Sequence, residues 1–494
     1  MQGGQRVNAG RKAISKLDKK EGYKIYLTRY QKEEIDLYGI GNSFSERCLN
    51  LLNQAIGEEK KDSDRSVKVI DLFAGLGGIR LGFEQGLKAS GYKTKCVFAS
   101  EIKKYAIDAY QGFFGNEKVY GDITQISSDF IPDFDFLLAG FPCQPFSSAG
   151  NRRGFSDTRG TLFFEIERIL KDKIEKGVPA KGFLLENVEG LINHNNGDTL
   201  NVILKHLKDI GYEVNYKLID SQYFGLAQSR KRVYIVGMLS SLINLDDFNK
   251  KTAVLESVLD EGLPTIDSKF TRQLFKHYSP EAVVGKSIKD KRGGENNIHS
   301  WDIGLKGEVT KIEKDLLNML LKERRKKKWA EEIGIKWMDG MPLTESQIRT
   351  FFDKEELTEI LEDLTEKGYL TLEYPKKLVD GRRVPDETKP IGYNIVAGKL
   401  SFEFSQILDP KQLAPTLVAM DVDKLGIVDG KGLRKLTVKE GQLLCGYPEN
   451  YDLSMISNKE AFDLLGNTVC VPVIRAIAER IGAELRRESD AINR

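Results

Sequence analysis

The stretch VKVIDLFAGLGGIRLGFE, Val67 to Glu84, decides the fold. It opens as an apolar strand, turns through Gly75, Gly77 and Gly78, and continues as a helix. Glycines at such a turn permit a tight bend and let a ligand approach the backbone closely. Further short apolar runs follow: CVFASE, VYGDIT, FDFLLAG, KGFLLENV and RVYIVGM, with helical stretches between most of them. This alternation predicts a doubly wound α/β sheet, Rossmann-like in type, from about Val67 to Leu239.

A glycine loop alone could bind many nucleotides, and the acids at the following strand ends narrow the choice. Glu101 ends the second strand, where a ribose-binding carboxylate is expected. Asp122 ends the third and is placed to take an adenine amino group. A nicotinamide reading needs a hydride-transfer site, and none is visible.

The second informative stretch is FPCQPFS, Phe141 to Ser147. Pro142 and Pro145 hold Cys143 in a loop just past a strand. Buried cysteine is usually a small packing residue, and Cys48, Cys96 and Cys470 fit that reading. Cys143 does not, and its setting suggests a nucleophile. A cysteine-protease dyad is disfavoured, although His194 and His206 remain partners to consider. A cofactor loop, a cysteine and the carboxylate of LLENV together suggest group transfer onto an unreactive ring. Thiolate addition at carbon 6 of cytosine makes carbon 5 nucleophilic, and Glu186 is suited to protonate nitrogen 3.

DLFAGLGG, GFPCQPFS, ENV, QSRKRVYIVG and GNTVCVP together resemble the ordered motifs of the bacterial DNA (cytosine-5) methyltransferases. The resemblance implies Cys143 as nucleophile, Glu186 on the cytosine edge, and Asn187 bracing the cysteine loop. Arg230 and Arg232 would orient the base and a phosphate. An S-adenosylmethionine site would be lined by Phe73, Ala74, Gly75, Gly77, Gly78, Glu101, Ile102, Asp122, Ile123, Pro142, Leu162, Asn467 and Val469. Ser147 to Gly160 resembles a mobile loop whose Arg152 and Arg153 suit phosphates. The target base must leave the duplex stack to be reached. Double-stranded DNA is then the substrate, a cognate restriction endonuclease the implied partner, and the catalytic unit a monomer. A tRNA cytosine-5 methyltransferase is the rival within the same core, disfavoured by the long variable region.

Domain limits follow. Residues 1–62 form an extension, 67–240 the catalytic domain, 241–430 a target-recognition domain, and 431–494 a segment completing the catalytic domain. In the extension, Tyr23 to Thr28 alternates like a strand, and two short helices follow. This resembles a ribbon-helix-helix DNA-binding unit with Lys24, Tyr26 and Thr28 facing the groove, which would dimerise and could repress its own operon. A plain helical extension is the competing reading. Within 340–398, a helix capped at Thr344, another ending at Gly368, and strands around a basic exposed loop resemble a winged helix. An irregular α+β segment is the alternative. Arg382 and Arg383 at that loop, and the basic run 322–328, are the candidate DNA contacts. Arg434 and Leu436 resemble the motif that packs the base of the recognition domain.

Composition sets outer limits. The 494 residues carry a net charge of +2 and 40% hydrophobic residues. No apolar run is long enough for a membrane span. The basic N-terminus lacks the apolar core of a signal peptide. The five cysteines form no C-x-x-C pair, so neither a metal site nor a disulfide framework is expected. A cytoplasmic, DNA-associated enzyme with reduced thiols is the expectation.

Overall fold

The computed structural model describes scattered positions between 27 and 52, then residues 65–142, 162–291, 294, 296–379, 382–396, 402–419 and 421–492. It divides into a unit of residues 1–65 and a unit of residues 66–494. In the first, Phe44, Ser45, Cys48, Leu49, Leu51 and Leu52 are helical, as the second expected helix requires. Lys24 and Tyr26 lie outside the described residues. Leu27 and Thr28 are exposed and belong to no strand, and a ribbon needs a second strand to bond with.

The larger unit is built on a seven-stranded sheet of order β3-β2-β1-β4-β5-β7-β6. The strands are β1 (Ser66–Leu72), β2 (Lys93–Ser100), β3 (Val119–Tyr120), β4 (Phe136–Gly140), β5 (Gly182–Val188), β6 (Glu213–Asp220) and β7 (Lys231–Met238). β1 to β5 pair in parallel, whereas β7 runs antiparallel between β5 and β6. β6 was not among the expected strands. Its sequence EVNYKLID is half polar because it forms the sheet edge, so it lacks the continuous apolar run of the inner strands.

Strand alternation divides the core between two faces. Phe136, Leu138, Leu184 and Val236 pack with Ile79, Phe83 and Leu87 of helix α1 (Gly78–Ala89). Leu137, Ala139, Leu185 and Ile235 pack on the other face with helices α3 (Leu162–Glu175) and α4 (Asp198–Asp209). Helix α2 (Lys104–Phe114) follows β2.

The insertion after β7 carries a five-stranded sheet of order β16-β15-β14-β8-β9. Its members are β8 (Ser287–Ile288), β9 (Asn297–Ile298), β14 (Gln406–Ile407), β15 (Leu425–Asp429) and β16 (Gly432–Lys435). The expected domain limit at 430/431 therefore cuts the β15–β16 hairpin, in which Gly426 pairs with Lys435 and Asp429 with Gly432. The limit belongs after Lys435. Within β16, Arg434 is buried and binds Asp429, Glu440 and the Asp260 carbonyl, fastening the base of the insertion.

A second part of the insertion has its own core of Trp301, Leu316, Leu320, Ile348, Leu361, Leu364 and Ile395. It contains α5 (Lys311–Glu323), α6 (Glu345–Arg349) and α7 (Leu357–Glu366). The Thr344–Gln347 capping box starts α6 as expected. β10 (Leu370–Glu373) pairs with β13 (Gly392–Ile395), and Leu343 bridges to Tyr393. The segment expected as an exposed loop instead forms a hairpin of β11 (Lys376–Val379) and β12 (Arg382–Pro385).

The chain returns to the catalytic sheet through α8 (Asn458–Asn467) and α9 (Val471–Ile492). α9 lies against α1 along Gly82 and Gly86, which leave no space for a side chain. A Cβ at Gly82 would stand 2.6 Å from the Ile474 Cβ, and one at Gly86 2.5 Å from that of Ala478. No single helix among the described residues is long and apolar enough to cross a membrane.

Gly82→Val is expected to force α1 and α9 apart and cost about 1–3 kcal/mol through overpacking. A thermal melt followed by circular dichroism measures it; an unchanged melting temperature would refute the close packing.

Candidate active site

Parallel β1 to β5 place their carboxyl ends on one edge of the sheet, where ligands of such folds bind. A cavity of about 700 Å³ opens there. It is lined by Phe73, Ala74, Gly75 and Gly78 after β1, by Glu101 and Ile102 after β2, and by Asp122 and Ile123 after β3. Pro142, Leu162, Glu186, Asn187, Arg230, Arg232, Asn467 and Val469 complete the predicted part of the lining. Gly77 lies beneath this wall. It is left-handed at φ 67°, and a Cβ there would meet the Phe114 and Tyr110 rings at 2.4 and 2.8 Å. Phe73, at φ 55°, takes the same region without being glycine. Cys143, Arg152 and Arg153 lie outside the described residues.

The acids are held by backbone. Glu101 Oε2 accepts from the Gly75 amide at 2.9 Å, and Oε1 accepts from the Ile102 and Lys103 amides at 2.8 and 2.9 Å. The carboxylate thus ties the glycine loop to the end of β2 while keeping acceptor capacity for hydroxyls. Asp122 Oδ1 accepts from the Thr124 amide and hydroxyl at 2.9 and 2.8 Å. Ile102 is 73% exposed beside them, an apolar platform at the cavity mouth. The open backbone path over Gly75 and Gly78, the two strand-end acids and this platform suit a nucleoside-bearing cofactor.

The reacting edge is assembled from β4, β5 and β7. Gly140 pairs with Glu186, and Val188 with Arg232, so the three strand ends meet. Because β7 is antiparallel, its first residues lie beside the last residues of β5, one strand away from the end of β4. Asn187 Nδ2 donates to the Phe141 carbonyl at 2.9 Å, holding the strand end that leads into Pro142 and Cys143. Glu186 is buried, with Oε1 3.0 Å from Arg232 Nε. Burial pushes its carboxyl above the ordinary value, against the opposing pull of the Arg232 and Arg230 charges.

Arg230 departs from its expected role. Its guanidinium is buried and donates to the carbonyls of Leu417, Gly466 and Thr468. Those bonds fasten the C-terminal segment to the start of β7, so Arg230 is a positioning residue and Arg232 alone meets the acid. Part of the run 322–328 is likewise committed within the insertion, while Lys322, Lys327 and Lys328 are exposed. Arg324 is buried against Asn394 and the Ile395 carbonyl, Arg325 faces Asp339, and Lys326 pairs with Glu323.

Several lining residues were not anticipated. Thr468 sits inside the quoted GNTV motif, and Lys103 lies two positions past Glu101. Lys103 pairs with Asp463 of α8 at 2.7 Å, joining the β2 side of the cavity to the C-terminal helix. Beneath the glycine loop, Arg80 binds Glu84, Glu117 and the Tyr110 hydroxyl and lies 4.0 Å from the Phe114 ring centroid. Asp71 is wholly buried in the same cluster. Desolvation raises its pKa to about 8, despite Arg80 and Tyr110. Nothing in the periodicity of VKVIDL separates this acid from its apolar neighbours except its being charged.

The sequence profile described as C-5 cytosine-specific DNA methylase matches residues 67–483. Type II methyltransferase M.NlaIV of Neisseria lactamica is 55% identical over 424 residues, covering 84% of this chain and 99% of that protein. Type II methyltransferase M.BanI of Aneurinibacillus aneurinilyticus is 41% identical over 437 residues, covering 84% and 95%. Among solved structures, a DNMT2 mutant of Spodoptera frugiperda aligns at a TM-score of 0.45 and 17% identity, over 84% of this chain and 99% of that one.

Asp71 supplies a pH test. The folded chain holds its proton up to about pH 8, whereas the unfolded carboxyl releases it near its ordinary value of 3.8. Stability from this group is therefore complete below pH ~4 and is lost as pH rises toward 8. Asp71→Asn is expected to flatten that part of the melting temperature–pH curve; a slope identical to that of the native chain would exclude the buried neutral acid.

Proposed function

The chain belongs to the C-5 cytosine-specific DNA methylase family, a DNA cytosine-5 methyltransferase, and we propose that it methylates carbon 5 of a cytosine flipped out of a specific duplex sequence. The observation that carries the reading is the joint placement of Glu186 and the Asn187-braced loop end at Phe141. A buried acid with a raised pKa and the strand leading to Cys143 share one edge of one cavity.

S-adenosylmethionine fits the other half of that cavity, over Gly75 and Gly78 and against Glu101, Ile102 and Asp122. Bound there, it supplies an electrophilic methyl group. The chain's own residues do the rest. The Cys143 thiolate forms a bond to carbon 6 while Glu186 delivers a proton to nitrogen 3, which makes carbon 5 nucleophilic. Arg232 holds the Glu186 carboxyl toward the base. Once carbon 5 carries the methyl, its proton leaves to solvent, the C–H electrons re-form the carbon 5–carbon 6 double bond, the carbon–sulfur pair leaves with the thiolate, and nitrogen 3 returns its proton to Glu186. Extruding the base costs a few kcal/mol, which contacts to the duplex offset.

The relatives named Type II methyltransferases support a place in a restriction-modification system, where this activity protects DNA from a cognate endonuclease.

Sequencing of DNA from cells expressing the chain is expected to reveal 5-methylcytosine in one sequence context; its absence sinks the assignment. Cys143→Ser is expected to abolish transfer. Glu186→Gln is expected to lower the rate roughly 10²-fold or more. In the native enzyme the rate falls as pH rises through the Glu186 pKa, because only the protonated acid assists addition. The Gln variant loses that limb in single-turnover pH profiles, and a retained limb assigns the proton elsewhere.

A further inference from the structure

Resting on the reading as a DNA methyltransferase, we infer that residues 310–396 form a winged-helix unit that meets the duplex through its β11–β12 hairpin and keeps its α7 helix off the DNA. The arrangement comes first. Helix α5, the Leu343 bridge, helices α6 and α7, strand β10, the hairpin and strand β13 follow in the order of such a unit. Their small sheet has Leu343 and β10 on either side of β13. The unit also has a separate hydrophobic core.

Charge then decides which part faces DNA. In a winged helix the last helix is the usual candidate for the major groove, by the logic of helix-turn-helix docking. Here that helix reads LTEILEDLTE and follows Glu355 and Glu356. Glu355, Glu356, Glu359, Glu362 and Glu366 are all exposed, while Leu357, Leu361 and Leu364 face the core. A face of that charge is repelled by phosphates at close range.

The hairpin has the opposite character. It presents Lys376, Lys377, Arg382 and Arg383, all exposed. Asp386, just beyond it, is buried and paired with Lys377 at 3.0 Å. All four residues of β11 are exposed, including Leu378 at 66% and Val379 at 43%. Register sets Leu378 opposite Arg383 and Val379 opposite Arg382, so each face of the ribbon carries one apolar and one arginine side chain. A two-stranded ribbon without a packed face is marginal in water. Its width suits the major groove, where guanidinium groups reach guanine edges or phosphates and apolar side chains meet thymine methyls. In the other basic run Arg324 is buried and Arg325 and Lys326 pair within the insertion, which leaves Lys322, Lys327 and Lys328 as its other exposed cations and no arginine free for a bidentate contact.

The test uses the full chain and a duplex bearing its methylated sequence, with binding followed by fluorescence anisotropy across a salt series. The double variant Arg382→Ala/Arg383→Ala is expected to bind roughly 10- to 100-fold more weakly near physiological salt. The slope of log affinity against log salt is expected to shrink by about 2 if both arginines neutralise phosphates. The KM for DNA rises with little change in kcat, and cofactor affinity and melting temperature stay native. The variant Glu359→Gln/Glu362→Gln is expected to bind at least as tightly as the native chain. Native affinity and salt slope in the arginine variant, or weakened binding in the glutamine variant, would overturn the proposal. Native protein that binds duplex without methylating it would overturn the catalytic reading instead, and the two binding comparisons would still judge the hairpin.

Discussion

The structure depends on the close contact between α1 and α9. α1 follows the glycine loop directly, and α9 follows Thr468 and Val469 by one or two residues. Packing these helices at Gly82 and Gly86 therefore brings opposite ends of the catalytic unit to one cavity wall. A Cβ at Gly78 would stand 2.9 Å from Val469 Cγ2, so the same closeness continues into the site. Arg230 reinforces it by binding three carbonyls, two of them on either side of Asn467. With the two ends held together, the long insertion between β7 and the C-terminal segment can vary without disturbing the catalytic edge.

The antiparallel direction of β7 is the second constraint. A β7 running parallel to β5 would have put QSRKR at the far edge of the sheet. Reversal places Arg232 beside Glu186, where a buried carboxyl needs a charged neighbour that limits its rise in pKa without abolishing it. Burial raises the Glu186 pKa and the two arginine charges oppose that rise. Asp71, wholly buried beneath the glycine loop, is pushed up to about 8 by desolvation despite the Arg80 charge.

Much of this was legible in the sequence because local chemistry and topology agree in the catalytic unit. The glycine loop and the strand-end acids follow from short motifs at strand ends, whereas the Asn187 brace, 46 residues from the carbonyl it holds, was implied by the family resemblance. β6 was harder to read because an edge strand is half polar, and its pairing partner lies later in the chain. Arg230 was misread for a different reason. Its side chain answers to carbonyls almost 190 and more than 230 residues away, which no local pattern announces. Likewise, the basic run 322–328 looks like a surface patch until Arg324 is seen buried against β13. The hairpin at 376–385 read as a loop because its strands bond only to each other and β11 is exposed along its whole length, so no apolar alternation marks it.

The central claim is a covalent bond between this chain and its base, and it is open to direct measurement. A duplex with 5-fluorocytosine at the methylated position retains fluorine where a proton must leave, so the adduct formed by the thiolate cannot resolve. Intact mass spectrometry after incubation with S-adenosylmethionine is predicted to find the chain joined to one methylated strand, with the link on the peptide containing Cys143. A link at another residue, or full turnover of ordinary DNA with no trapped species on the fluorinated duplex, would contradict the account.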